Sequence, residues 1–143
     1  MIEVHTPIEM RELGKKIGAK LNAGDVVALI GPLGAGKTEL TKGIGEVFGI
    51  NEITSPTFVI ARSYKTKPPF IHMDAYRLIA GSNPLAELED LDLNSEGAVT
   101  VIEWGDLASH ISSDYLEIKI DRSDETRKVE LIGHGSRWAG FTL

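Results

Sequence analysis

No cysteine occurs anywhere in the 143-residue sequence. Disulfides and thiolate metal sites are thereby excluded, and a reducing compartment suits the chain. Long apolar runs are also missing, and none approaches the length needed to cross a bilayer. Met1 to Met10 mixes polar and apolar residues without the basic start and apolar run of a secretory leader. A cytoplasmic protein without a membrane segment is expected. Basic residues are the minority, 15 Lys and Arg against 21 Asp and Glu, for a net charge of −6. Proteins that grip nucleic acid by its phosphates usually carry a basic face, so tight binding of bare nucleic acid is not expected. The small cluster Arg62, Lys65 and Lys67 reads as a solvated loop. What is present is ordinary for a globular chain, 42% hydrophobic and 25% charged. The length suits a single domain spanning 1–143, able to bury roughly two-thirds of its extended surface.

Periodicity organises this domain. Residues 7–22 read as a helix, capped by Thr6, opened by Pro7 and lined by Ile8, Leu13, Ile17 and Leu21. Val26 to Ile30 is a continuous apolar run, the mark of a parallel strand buried on both faces. Residues 37–48 read as a second helix, stopped at Gly49. Phe58 to Tyr64 and Phe70 to Met73 read as strands, and Leu85 to Leu93 as a short acidic helix or loop. Ala98 to Ile102 is a further apolar strand. Tyr115 to Ile120 and Lys128 to Ile132 alternate apolar with polar residues, predicting a half-exposed antiparallel pair. The expected architecture is α/β: a mixed, mainly parallel sheet flanked by helices, with an antiparallel C-terminal portion.

The most informative segment lies between the apolar strand and the second helix. Gly31-Pro32-Leu33-Gly34-Ala35-Gly36-Lys37-Thr38 fits the Walker A pattern in its required strand-to-helix context. Such a loop turns backbone N–H groups inward onto phosphate oxygens. The helix behind it adds its unpaired N–H groups and positive dipole end. The site expected to bind nucleotide is therefore Gly31, Leu33, Gly34, Ala35, Gly36, Lys37 and Thr38. Lys37 serves the β- and γ-phosphates, and the Thr38 hydroxyl serves Mg²⁺. No guanine-reading Asn-Lys-x-Asp motif is present, which favours ATP.

A P-loop site needs a second, acidic anchor at the end of an apolar strand. Asp74 and Glu103 both qualify, because ligands in open α/β sheets sit at the carboxyl ends of parallel strands. Either acid can serve the metal or the attacking water. His72 shares a strand face with Asp74 and reads as structural. Trp104 reads as a core or rim aromatic, and Arg127 as a solvated residue. Tyr76 and Arg77 belong to the loop after Asp74, without a role assigned by spacing.

Together with the Walker A loop, three further segments form a specific set: Ser55-Pro56-Thr57-Phe58, His72 to Leu78 (HMDAYRL) and Ile102-Glu103-Trp104. Leu88 to Leu91 is a weaker echo. In this order and at these intervals the sequence resembles the bacterial TsaE family, from about Thr6 to about Ile132. The resemblance implies a single-domain P-loop ATPase of the pathway that makes threonylcarbamoyladenosine in tRNA. It implies Thr38 and Glu103 as Mg²⁺ ligands and Asp74 as the essential acid near the γ-phosphate. It also implies Thr57 as part of a γ-phosphate switch, Trp104 beside the nucleotide, and Thr6 and Arg127 as nucleotide contacts. The implied partners are two proteins of that pathway, TsaB-like and TsaD-like, with tRNA met indirectly if at all. ATP hydrolysis would reset that assembly. Pro32, Glu39, Ala75 and Asp92 depart from the usual pattern. None removes a ligand, although Pro32 lacks an N–H.

The expected activity is Mg²⁺-dependent ATP hydrolysis with Lys37, Asp74 and Glu103 as the catalytic set. Turnover should be slow without partners, because no arginine is clearly placed as an internal finger, Arg77 excepted. Two rival readings are a nucleotide-gated adaptor with negligible catalysis and a small-molecule kinase. The kinase would need an arginine-bearing lid that the short chain lacks.

Overall fold

A computed structural model describes residues 2–32, 34–51, 53, 61–74, 97–103, 113–123 and 125–143. Among the described residues, two α-helices lie against one seven-stranded sheet. In chain order the elements are β1 (Ile2–Val4), α1 (Pro7–Gly18), β2 (Val26–Ile30), α2 (Lys37–Val47), β3 (Ala61–Tyr64), β4 (Phe70–Asp74), β5 (Val99–Glu103), β6 (Tyr115–Ser123) and β7 (Thr126–His134). A 3₁₀ turn follows at Ser136–Trp138. The spatial order is β1-β7-β6-β2-β5-β4-β3. The four central strands are parallel, through the β6–β2, β2–β5 and β5–β4 pairings. The three outer pairings are antiparallel. This is the α/β P-loop fold that the sequence predicts, with the antiparallel C-terminal pair in place and parallel pairing confined to the centre.

Local chemistry accounts for these elements. The run Val26 to Leu29 is buried because β2 has a parallel neighbour on each side. Thr6 and Glu9 form a reciprocal capping box at the start of α1: the Thr6 hydroxyl accepts from Glu9 N, and the Glu9 carboxylate accepts from Thr6 N. The core lies between the helices and one sheet face, built from Met10, Leu13 and Ile17 of α1, Leu40 and Ile44 of α2, and Val27, Leu29, Val99, Val101, Leu116, Ile118 and Ile120 beneath them.

The buried stripe of α1 is Met10, Leu13, Gly14, Ile17 and Gly18. Ile8, expected on that stripe, is 74% exposed. The helix ends at Gly18 rather than continuing to 22. The reason is close packing. A Cβ on Gly43 of α2 would overlap the Arg11 carbonyl, and one on Gly14 would overlap the Leu40 carbonyl, so the two helices meet backbone to backbone. Glycines complete a face that a search for bulky apolar residues assigns elsewhere.

The segment after β7 carries an unpredicted anchor. Trp138 is 2% exposed and packs edge-on against Phe141. Beside it, Arg137 holds Asp25 through two bonds, Nε to Oδ1 at 3.1 Å and Nη2 to Oδ2 at 3.0 Å, and also donates to the Lys20 carbonyl. Asp25 is 6% exposed, so removing its cation leaves a buried carboxylate under-satisfied. Arg137→Ala is expected to lower the urea midpoint by an amount equivalent to about 1–3 kcal/mol, with an unchanged m-value. An unchanged midpoint would show that the pair contributes nothing net.

Among the described residues, no helix is long and apolar enough to cross a membrane. Arg62, Lys65 and Lys67 are exposed, as the reading of a solvated loop requires.

Candidate functional site

The loop after β2 turns on two glycines, Gly34 with φ 76° and Gly36 with φ 104°. At Gly36 a side chain would face both left-handed strain and the thioether of Met10. Gly36 is also the N-cap of α2, and no side chain caps that end. The positive end of α2 therefore faces the loop with a glycine at its cap, an arrangement that suits anions.

Lys37 is 7% exposed. Its Nζ donates to the Gly31 carbonyl at 2.5 Å and to the Pro32 carbonyl at 3.2 Å. The ammonium thus lies folded across its own loop. Thr38 follows on the first turn of α2, and Ala35 is buried against the core. Glu103 closes β5 and is 5% exposed. It stands beside Leu29 of β2 in register, which brings it to the foot of the loop. Asp74 closes β4 at the register position paired with Glu103. The two acids therefore end adjacent parallel strands, as the sequence predicts.

A cavity of about 550 Å³ joins the loop, the first turn of α2 and Glu103. Its lining includes Gly34, Ala35, Gly36, Lys37, Thr38 and Glu103, together with Thr6 and Arg127. Thr6 and Arg127, distant in sequence, are brought together by β1, whose Val4 pairs with Arg127. The Arg127 guanidinium also donates to the Gly34 carbonyl at 3.3 Å. Gly31 contributes through its carbonyl, the acceptor for Lys37. Leu33, Thr57 and Trp104 lie outside the described residues, as do Tyr76, Arg77 and the acidic segment 85–93.

Several lining residues carried no sequence signal: His5, Pro7, Met10, Glu39 and Glu125. His5 arrives through the β1 pairing, and a three-residue strand is too short to read from periodicity; Met10 arrives by packing on Gly36 and Glu39 by its place in the first turn of α2. Arg122 was missed for a similar reason. It stands opposite Arg127 across the β6–β7 pair, and its Nη1 lies 2.9 Å from where a Cβ of Gly34 would sit. Like charges placed opposite one another cost stability, yet both arginines approach the loop at Gly34.

Glu39 shows how a departure from the family pattern is accommodated. Its carboxylate accepts from Arg11 at 2.7 Å and from Lys42 at 3.3 Å. The Arg11 hydrogen bond holds the Glu39 carboxyl below its ordinary value of 4.5. A lowered folded-state pKa means that the contribution is present above the ordinary value and is lost as pH falls through the folded one. The stability difference between the wild type and Arg11→Ala is therefore expected at neutral pH and should close on acidification below 4.5. Urea titrations across that range check this, and a pH-independent difference would contradict it.

A buried strand, a glycine loop over an uncapped helix and an acid at the end of the neighbouring parallel strand define a P-loop NTPase fold. The family model described as Threonylcarbamoyl adenosine biosynthesis protein TsaE matches residues 4–129. A Streptomyces coelicolor protein named tRNA threonylcarbamoyladenosine biosynthesis protein TsaE is 46% identical over 140 residues, covering 91% of this chain and 94% of its own. A Bacillus subtilis protein of the same name is 37% identical over 137 residues, covering 92% and 84%. The crystal structure of Bacillus subtilis YdiB matches with a TM-score of 0.74 at 32% identity, over 96% of this chain and 87% of that one. The chain belongs to the TsaE family.

Proposed function

We propose that this protein is a Mg²⁺-dependent ATPase acting with TsaB-like and TsaD-like partners in threonylcarbamoyladenosine modification of tRNA. The carrying observation is one cavity that collects Lys37, Thr38 and the start of α2 on one side and Glu103 on the other. Its volume lies within the usual range for small-molecule sites, about 300–1,000 Å³. The names of the family and of its Streptomyces coelicolor member support the pathway.

The donor set fits Mg²⁺. Thr38 and Glu103 both line the cavity and offer hard oxygens. A cation held by few protein ligands, sharing its shell with phosphate and water, is the usual Mg²⁺ arrangement. Thr38 and Glu103 would hold the ion, which when bound polarises phosphoryl oxygens and offsets their charge. The chain's own contribution is position and field. The α2 terminus and Lys37 bind the β- and γ-phosphates, Arg127 and Arg122 add positive potential, and Asp74 orients the attacking water. Thr6, Arg127, Thr57 and Trp104 complete the nucleotide site in this reading. A net charge of −6 suits a protein that meets tRNA through its partners in the cytoplasm.

ATP turnover by the purified chain with Mg²⁺, alone and with both partners, tests this reading. Slow turnover that rises with partners and is lost in Asp74→Asn and Glu103→Ala supports it. ATP-dependent assembly that survives Asp74→Asn, with no turnover in any mixture, would replace it with a nucleotide-gated adaptor. Transfer of phosphate to a small molecule would replace it with a kinase.

A further inference from the structure

His72 is fully buried in the middle of β4. Its register partner is Val101, with Phe70 and Val99 paired two residues earlier. Neither ring nitrogen has a hydrogen-bond partner among the described residues. An imidazole in such a layer carries a desolvation cost that an aliphatic side chain of similar size would not. Buried polar groups without partners are rare enough to call for an explanation.

A neighbouring carboxylate supplies one. The His72 Nε2 lies 3.6 Å from Glu103 Oε2, just beyond hydrogen-bond length. Glu103 lines the cavity while being almost wholly buried itself. A short turn of the carboxylate brings Oε2 onto an Nε2–H donor and leaves Oε1 for the cavity. Contacts of this kind are commonly loose without ligand and tighten in the complex.

We propose that His72 is a positioning residue for Glu103: with its proton on Nε2, it donates to one carboxylate oxygen and so aims the other at the bound metal. This rests on Glu103 being a metal ligand. Groups that orient a ligating carboxylate typically matter by about 10–100-fold in metal affinity.

The test is binding of a fluorescent ATP analogue to the full chain, titrated with Mg²⁺ and repeated in EDTA. His72→Leu keeps bulk but has no donor. His72→Gln places an amide N–H near the Nε2 position, whereas His72→Asn places one near Nδ1. The expected result is a rise of about 10–100-fold in the Mg²⁺ needed for half-maximal binding by His72→Leu. His72→Gln should stay near wild type, and binding in EDTA should be equal throughout. A wild-type Mg²⁺ response in a folded His72→Leu protein overturns the proposal. If His72→Leu does not fold, Gln against Asn decides: a retained response in Gln alone supports it, and equal responses overturn it. Glu103→Ala with an unaltered Mg²⁺ response would overturn the ligand assignment beneath the proposal, a failure distinct from that of His72.

Discussion

Lys37→Ala is expected to lower ATP turnover by about 10²–10³-fold, the usual cost of removing one preorganised donor from a developing oxyanion. The effect should fall on chemistry and nucleotide affinity, not on folding. In the ligand-free chain the ammonium is shared between the Gly31 and Pro32 carbonyls, and Lys37, although 7% exposed, lines the cavity. Water can replace it there, so the melting temperature should move little. Lys37→Arg should not restore activity, because a planar guanidinium does not substitute for a compact point charge in so tight a loop. Steady-state turnover beside a thermal melt separates the two effects. A variant with full turnover would remove Lys37 from the site. A variant that melts early would show that its role is structural.

A large effect on stability is expected at Gly43. Glycine to alanine inside a helix normally stabilises, by up to about 1 kcal/mol. Here the new methyl would meet the Arg11 carbonyl and the Gly14 Cα of the facing helix. Neither is the end of a flexible side chain, so the helices must separate, and overpacking of this kind costs about 1–3 kcal/mol. Gly43→Ala should therefore destabilise despite its better propensity, lowering the melting temperature by roughly 2–4 °C for each kcal/mol. Gly43→Val should do worse. Because α2 carries Lys37 and Thr38, displacing it should weaken nucleotide binding too. A stabilised Gly43→Ala would mean that the helices do not meet backbone to backbone.

Legibility in the sequence followed the range of the forces involved. The Thr6 cap of α1, the apolar β2 and the phosphate loop are local, and each was readable from a few consecutive residues. The β6–β7 pair was readable because its alternation persists over several positions. Features made by distant contacts were not. β1 is three residues long and owes its place to partners near Val129, yet it brings His5 and Thr6 to the cavity. Arg137 finds Asp25 across 112 positions of sequence, and nothing in residues 133–143 announces a buried tryptophan. Ile8 misled because an isoleucine at helical spacing looks like core, while Gly14 and Gly18 are the face that packs. In the site, the acids at the ends of β4 and β5 were legible from strand logic. Arg122 was not, because its position depends on the register across the hairpin.

The most direct test of the central claim is a crystal structure of the chain with a non-hydrolysable ATP analogue and Mn²⁺ in place of Mg²⁺, the metal located by its anomalous signal. The account predicts phosphates over the start of α2, with Lys37 released from the Gly31 and Pro32 carbonyls and turned onto the β- and γ-phosphates. The metal should lie between the Thr38 hydroxyl and the Glu103 carboxylate. Nucleotide bound away from this cavity, or a metal peak remote from Glu103, would contradict it.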